Sequence, residues 1–192
     1  MGVIKKHRFT VEEYHEMGEA GIFSEDDRVE LIDGEVVGMA PIGSRHMQSV
    51  ARLTRLLSRW TFDSQEDDPA LFVSVQNPLV LFEGEEPQPD LVLLLRSVGR
   101  SGAFSYEEAL LVVEVPDASL RYERETKLPL YAASGIPEAW IVDLVEDRVE
   151  IHSDPGAAGY GAISRARRGE RMVSPTVPNL AFDVAEVLSP GE

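Results

Sequence analysis

The chain has 192 residues, long enough for one substantial core and short for two. It has no cysteine, which excludes disulfides, thiolate nucleophiles and thiolate metal sites, and its formal charge of −16 weighs against a general nucleic-acid binder. With 43% hydrophobic and 27% charged residues and no apolar run of membrane-spanning length, it reads as a soluble globular protein with no membrane partner, expected in the cytoplasm.

The opening "MGVIKK" lacks the apolar stretch of a secretory signal, and Lys6 stands where a myristoylation pattern needs Ser or Thr. Thr10 and Glu13 form a capping box that opens a helix to about Ala20. "RVELIDGEVVGM" places two β-rich arms around Asp33-Gly34, a strong short hairpin signal. Ser44 is positioned to cap a long amphipathic helix to about Phe62, with Val50, Leu53, Leu56, Leu57 and Trp60 on one stripe.

After the acidic segment "DSQEDDPA", "LFVSVQ" and "PLVLF" read as successive strands with a bend at Asn77-Pro78. Residues 90–95 make the next strand, and "RSVGRSGAFS" reads as a mobile segment. Residues 109–115 make another strand, followed by a helix over about 120–134 in which Pro129 predicts a kink or a later start. "EAWIVDL" is a buried strand on which "RVEIHS" pairs back, and the tail offers weak strands and a short helix near 184–188. The strand–helix–strand unit 109–143 predicts a parallel pair. The whole, 1–192, therefore reads as a single α/β domain with a mixed central sheet flanked by helices.

Two charges interrupt this apolar pattern. Asp90 stands at the mouth of "LVLLL", and Glu114 lies inside "ALLVVEVPD". Separately, backbone amides would satisfy Asp90, and Arg121 or Arg124 would pair with Glu114. Together, carboxylates on adjacent strands suit a hard cation such as Mg²⁺, which takes oxygen ligands and keeps water for a substrate. Lys127 shares a helical stripe with Leu120 and Tyr131; it either points inward, to stabilise charge on a phosphorus centre, or snorkels to solvent.

Pro89-Asp90, Glu114 and a lysine on the following helix resemble the PD-(D/E)XK restriction-endonuclease-like superfamily. More narrowly, "RVELIDGEVV", "PQPDLVLL", "LLVVEV" and "YERETKLPLYAASGIPEAWIVDL" resemble the Uma-type family of putative restriction endonucleases, in order over about residues 10–152. The resemblance implies a restriction-endonuclease-like fold and a Mg²⁺-dependent nuclease, with Mn²⁺ as a substitute, that hydrolyses DNA through a metal-activated water. It implies Asp90 and Glu114 as catalytic metal ligands, Lys127 as a catalytic lysine migrated to the helix, and Glu30 as a further acidic site residue. His46 and Arg124 are the implied substrate contacts. Glu30 also fits an exposed hairpin carboxylate, and His46 a partly buried helix residue.

Three departures stand out. Pro116 occupies the place of the lysine in a simple Glu-x-Lys motif, "PDASL" follows the strand where the family has a Ser-Pro-Ser-like run, and Glu123-Arg124 replaces Asp-Arg. The alternative expectation is a catalytically silent nuclease-like module that binds or regulates, motivated by the acidity. Metal-assisted hydrolysis of a non-nucleic substrate is compatible with the same residues. A homodimer is expected, because paired sites suit a duplex and "IVDLVEDRVEIHS" offers an edge for pairing.

Overall fold

The computed structural model describes residues 5–24, 26–64, 71–95 and 103–188. The acidic stretch beyond Ser64 and the segment 96–102, with Arg96 and Arg100, lie outside the described residues, as does the expectation of mobility there.

Helix α1 (Val11–Glu19) starts at the expected capping box: Thr10 Oγ1 accepts from Glu13 N at 3.1 Å, and Glu13 Oε2 accepts from Thr10 N at 3.0 Å. Strands β1 (Val29–Ile32) and β2 (Glu35–Gly38) form the hairpin. Its two turn residues, Asp33 and Gly34, have φ of 52° and 65°, the doubly left-handed turn that matches strand twist. Helix α2 (Ser44–Ser64) buries Val50, Leu53 and Leu57.

The central sheet contains β3 (Leu71–Val75), β5 (Leu91–Leu95), β7 (Ala109–Glu114), β8 (Glu138–Asp143), β9 (Arg148–Gly156) and β10 (Gly159–Arg167), in the spatial order β10-β9-β8-β7-β5-β3. The β7–β8 pair is parallel and the other pairs are antiparallel. Two short strands, β4 (Leu79–Val80) and β6 (Phe104–Ser105), stand outside it and pair with each other in parallel. The two successive strands expected here are both present, but β4 has only two residues and does not extend the sheet after β3.

The near-continuous apolar runs of β5 and β7 follow from cover on both faces. Leu91, Leu93, Leu111 and Val113 pack on one side with α2 and the tail, which consists of β11 (Arg171–Val173), β12 (Ala181–Asp183) and α5 (Val184–Val187). Val92, Leu94 and Val112 pack on the other side with Leu128, Tyr131 and Ile141.

The second face is covered by one rod of three parts: α3 (Leu120–Tyr122), a π turn over Glu123–Lys127, and α4 (Leu128–Ala133). Pro129 neither delays this helix nor ends it. It lacks an N–H and crowds the carbonyl four residues back, and the widened turn, closed by Leu128 N on Glu123 O, takes up that misfit just before it.

The tail also differs from expectation. β10 is not weak but runs nine residues and keeps register with β9 from Gly156↔Gly159 to Arg148↔Arg167. Most of its side chains are exposed, so the backbone ladder rather than an apolar pattern defines it. β9 consequently has neighbours on both sides, and the edge expected there for dimerisation is already occupied; β10 and β3 are the outer strands. Among the described residues, no helix is long and apolar enough to cross a membrane.

Candidate active site

Strand parity brings the first two carboxylates together. β5 and β7 pair antiparallel with Leu91 opposite Val113, so one step further along Asp90 faces Glu114. Glu114 shares parity with Val112 and points toward the helical rod, and Asp90 Oδ2 accepts a hydrogen bond from Val115 N at 2.9 Å.

The π turn brings the lysine. Glu123 and Lys127, four residues apart, both turn inward, and Lys127 is only 2% exposed. Its ammonium lies 3.0 Å from Glu30 Oε2, 3.3 Å from Glu114 Oε1 and 3.6 Å from Glu123 Oε2. The hairpin supplies Glu30, whose Oε2 also accepts from Gln88 N at 3.1 Å and whose Oε1 accepts from Tyr122 Oη at 3.2 Å. Glu30 is thus buried, not an exposed hairpin charge. Glu114 pairs with neither arginine suggested by sequence: Arg121 bonds Glu125, and Arg124 bonds Glu150 and Asp143.

Helix α2 contributes His46. Its Nδ1 sits 2.7 Å from Val115 O, so that nitrogen must carry a proton and donate. Its Nε2 lies 3.2 Å from Asp90 Oδ1, an arrangement that is attractive only when Nε2 is protonated as well. Burial opposes this charge, but the Asp90 hydrogen bond and charge win, and the His46 pKa is raised. Gln76 Nε2 also donates to Asp90 Oδ1 at 3.2 Å. Gln76 has φ of 51°, an uncommon value for a non-glycine residue, at the end of β3 beside Asp90.

Burial raises the pKa of Glu114 well above the usual carboxylate value against the pull of Lys127, with Glu123 and Asp90 adding to the rise. Glu123 is raised for the same primary reason. Lys127 is moved the other way from a typical buried lysine: desolvation lowers its pKa, but Glu114, Glu123 and Glu30 more than offset this and keep it charged. Tyr131 Oη donates to Glu114 Oε1 at 2.5 Å, and burial followed by that carboxylate raises the phenol pKa, so it stays a donor.

Glu30, His46, Asp90, Glu114, Glu123 and Lys127 line a cavity of about 190 Å³. Around it, Glu30, Asp90, Glu114, Asp117 and Glu123 face Arg28, Lys127 and His46, an excess of formal negative charge. Burial favours the neutral carboxyl at Glu114 and Glu123, whose pKa values are both raised. Glu123 Oε2 is buried without a hydrogen-bond partner, and both hydrogen bonds to Glu114 fall on Oε1. The oxygen-only donor set and the charge excess fit a hard divalent ion. Among the described residues no group of three His, Asp or Glu could hold a metal ion. Two carboxylates completed by water and substrate oxygens is the manner in which Mg²⁺ is usually held.

Of the residues singled out in the sequence, Asp90, Glu114, Lys127, Glu30 and His46 share this cavity, whereas Arg124 lines a different one. Tyr131 and Glu123 join the cluster from the stripe of Lys127, whereas Tyr122, Gln76 and Gln88 carry no sequence signal that places them there. The i,i+4 spacing of Glu123 to Lys127 was a readable signal; the last three are placed only by tertiary contacts.

The fold is thus a six-stranded mixed sheet flanked by helices, with carboxylates at a strand mouth and a buried lysine on the covering helix. The family model described as Uma2, "Putative restriction endonuclease", matches residues 11–185, and the chain belongs to that family. Among solved structures, the fold is similar to that of a nuclease of DUF820 from Anabaena variabilis, described there as putative. The TM-score is 0.72 at 11% identity, covering 93% of this chain and 97% of the other. No curated protein matches the chain.

Proposed function

We propose that the chain is a Mg²⁺-dependent nuclease of the PD-(D/E)XK type that hydrolyses phosphodiester bonds of DNA. The observation that carries this reading is the negative excess around one buried lysine, with Asp90 opposite Glu114 at the mouth of two rigid strands. Asp90 and Glu114 would hold the ion. The chemistry such an ion supplies when bound is a water of lowered pKa and compensation of charge on phosphoryl oxygens.

The remaining steps belong to the protein. Lys127 is held charged, so it acts as a fixed cation facing the negative charge that develops on phosphorus, not as a proton acceptor. Tyr131 and Lys127 fix Glu114 Oε1, while Val115 N, Gln76 and His46 fix Asp90, so neither carboxylate reorganises when substrate enters. A cavity of about 190 Å³ admits a phosphodiester linkage but no base pair, so the bases remain outside it.

Asp90→Asn and Glu114→Gln should each lower Mg²⁺-dependent cleavage of labelled DNA by roughly 10²–10³-fold, with unchanged circular dichroism. Cleavage that persists in excess chelator, or in both variants, refutes the proposal. A silent binding module is the second reading, favoured by the acidity of the chain and by the protein partners its carboxylates already have. It predicts no rise in melting temperature with Mg²⁺, because a ligand held only by the folded state must stabilise it. A homodimer would have to pair through another surface than β9, and light scattering gives its mass directly.

A further inference from the structure

The π turn that sends Glu123 and Lys127 inward turns Arg124 toward β9 and β10, where a cavity of about 430 Å³ opens. Its charged lining is Arg124, Arg148, Arg165 and Glu150, a positive excess in a chain of net charge −16. Glu150 accepts from Arg165 Nε at 2.9 Å and Arg124 Nε at 3.1 Å, with Arg148 Nη2 at 3.5 Å. Asp143, behind it, holds Nη2 of Arg124 and of Arg148, each at 3.2 Å. Two carboxylates thus fix three guanidinium planes in place.

The network is incomplete on its open side. Arg148 Nε and His152 Nε2 are both buried without a hydrogen-bond partner, and both residues line the cavity. The His152 side chain is 7% exposed; its Nε2 stands 3.5 Å from Glu150 Oε2 without making a hydrogen bond. Arg165 engages Glu150 through Nε alone, so its terminal nitrogens have no partner among the described residues. Buried polar atoms are nearly always paired, and two orphans in one cationic cavity mark the place of a missing acceptor.

We propose that this cavity is a phosphate-binding site, distinct from the carboxylate–lysine cavity. A planar carboxylate directs both its oxygens into one plane. A tetrahedral phosphate can meet Arg124, Arg148 and Arg165 together and leave an oxygen for His152. Leu128, Pro129, Tyr160 and Ile163 form walls against which the organic part of a phosphate ester would rest. The site does not depend on hydrolysis at the first cavity.

The test follows arginine Nε–Hε resonances of the ¹⁵N-labelled full chain during titration with inorganic phosphate, chloride holding the ionic strength constant. Saturable shifts at Arg148 and Arg165 are expected. Arg165→Gln removes an exposed guanidinium and leaves Glu150 two partners, so it should fold normally and bind phosphate about tenfold more weakly. His152→Gln should weaken binding while keeping the arginine resonances in place. An unphosphorylated oligonucleotide that competes at the same resonances identifies the source as a nucleic-acid backbone; phosphate binding without such competition identifies a free phosphate or monoester. Shifts that rise linearly to about 50 mM, chloride-like shifts, or equal affinity in wild type and Arg165→Gln overturn the proposal.

Discussion

Replacing Lys127 by Met keeps most of the aliphatic volume but removes the ammonium that lies within 3.6 Å of Glu30, Glu114 and Glu123. All three carboxylates are at least nine-tenths buried, so the variant leaves anions in a low-dielectric interior without their common partner. Removing one side of a buried ion pair costs about 3–5 kcal/mol. For a chain of this size that corresponds to a fall in Tm of roughly 6–20 °C. The loss must depend on pH. The pKa of Glu114 is raised in the folded state, so its contribution to stability is fully present below its ordinary value of 4.5 and is lost as pH rises through the folded value. Without the lowering pull of Lys127, Glu114 and Glu123 rise further. The variant is therefore most destabilised near about pH 8 and recovers toward about pH 5, where protons replace the ammonium. Urea unfolding of both proteins at the two pH values, in chelator, measures this. A loss below about 1 kcal/mol at the higher pH, or one that grows on acidification, refutes the charge arithmetic.

The same electrostatics predicts further outcomes. In a nuclear magnetic resonance titration, His46 should titrate above His152, whose pKa burial lowers, and Asp90→Asn should bring His46 down. Because His46 is raised, its share of stability is present below the ordinary 6.5 and disappears as pH rises through its folded value. Mg²⁺ at one hundred times its dissociation constant should stabilise the wild type by about 2.7 kcal/mol, and the Asp90→Asn, Glu114→Gln double variant hardly at all, by calorimetry. Glu138, fully buried, accepts from Trp140 Nε1, Ser174 Oγ and the Thr176 hydroxyl and amide, tying the tail to β8; Glu138→Leu orphans those donors and should cost roughly 3 kcal/mol or more in urea unfolding. Gly34→Ala places a methyl 2.7 Å from Arg8 Cβ at a φ of 65°, and a loss of about 1–3 kcal/mol is expected in thermal melts.

Local chemistry made much of the fold legible. Thr10 and Glu13 cap a helix with their own side chains, Asp33-Gly34 tolerates a doubly left-handed turn, and the five-residue apolar runs 91–95 and 109–113 between polar segments read as buried strands. Asp90 and Glu114 were visible because a charge in such a run conflicts with burial. β10 reads only as a weak strand because an exposed edge strand is held by backbone hydrogen bonds, which leave no apolar period to read. The π turn escaped because Pro129 signals disruption without saying how the chain absorbs it.

The sequence by itself determined the elements, the two anomalous carboxylates and a lysine on the helix between β7 and β8. Only the tertiary structure decided what these charges meet. Strand register sets Asp90 opposite Glu114, one extra residue in a helical turn drives Lys127 inward, and a hairpin distant in sequence delivers Glu30. The same turn directs Arg124 away, to the arginine cavity over β9 and β10. Local patterns follow from the conformational preferences of neighbouring residues. Which charges share a buried space depends on how whole elements pack, and the electrostatic work of burying those charges together is set by that packing.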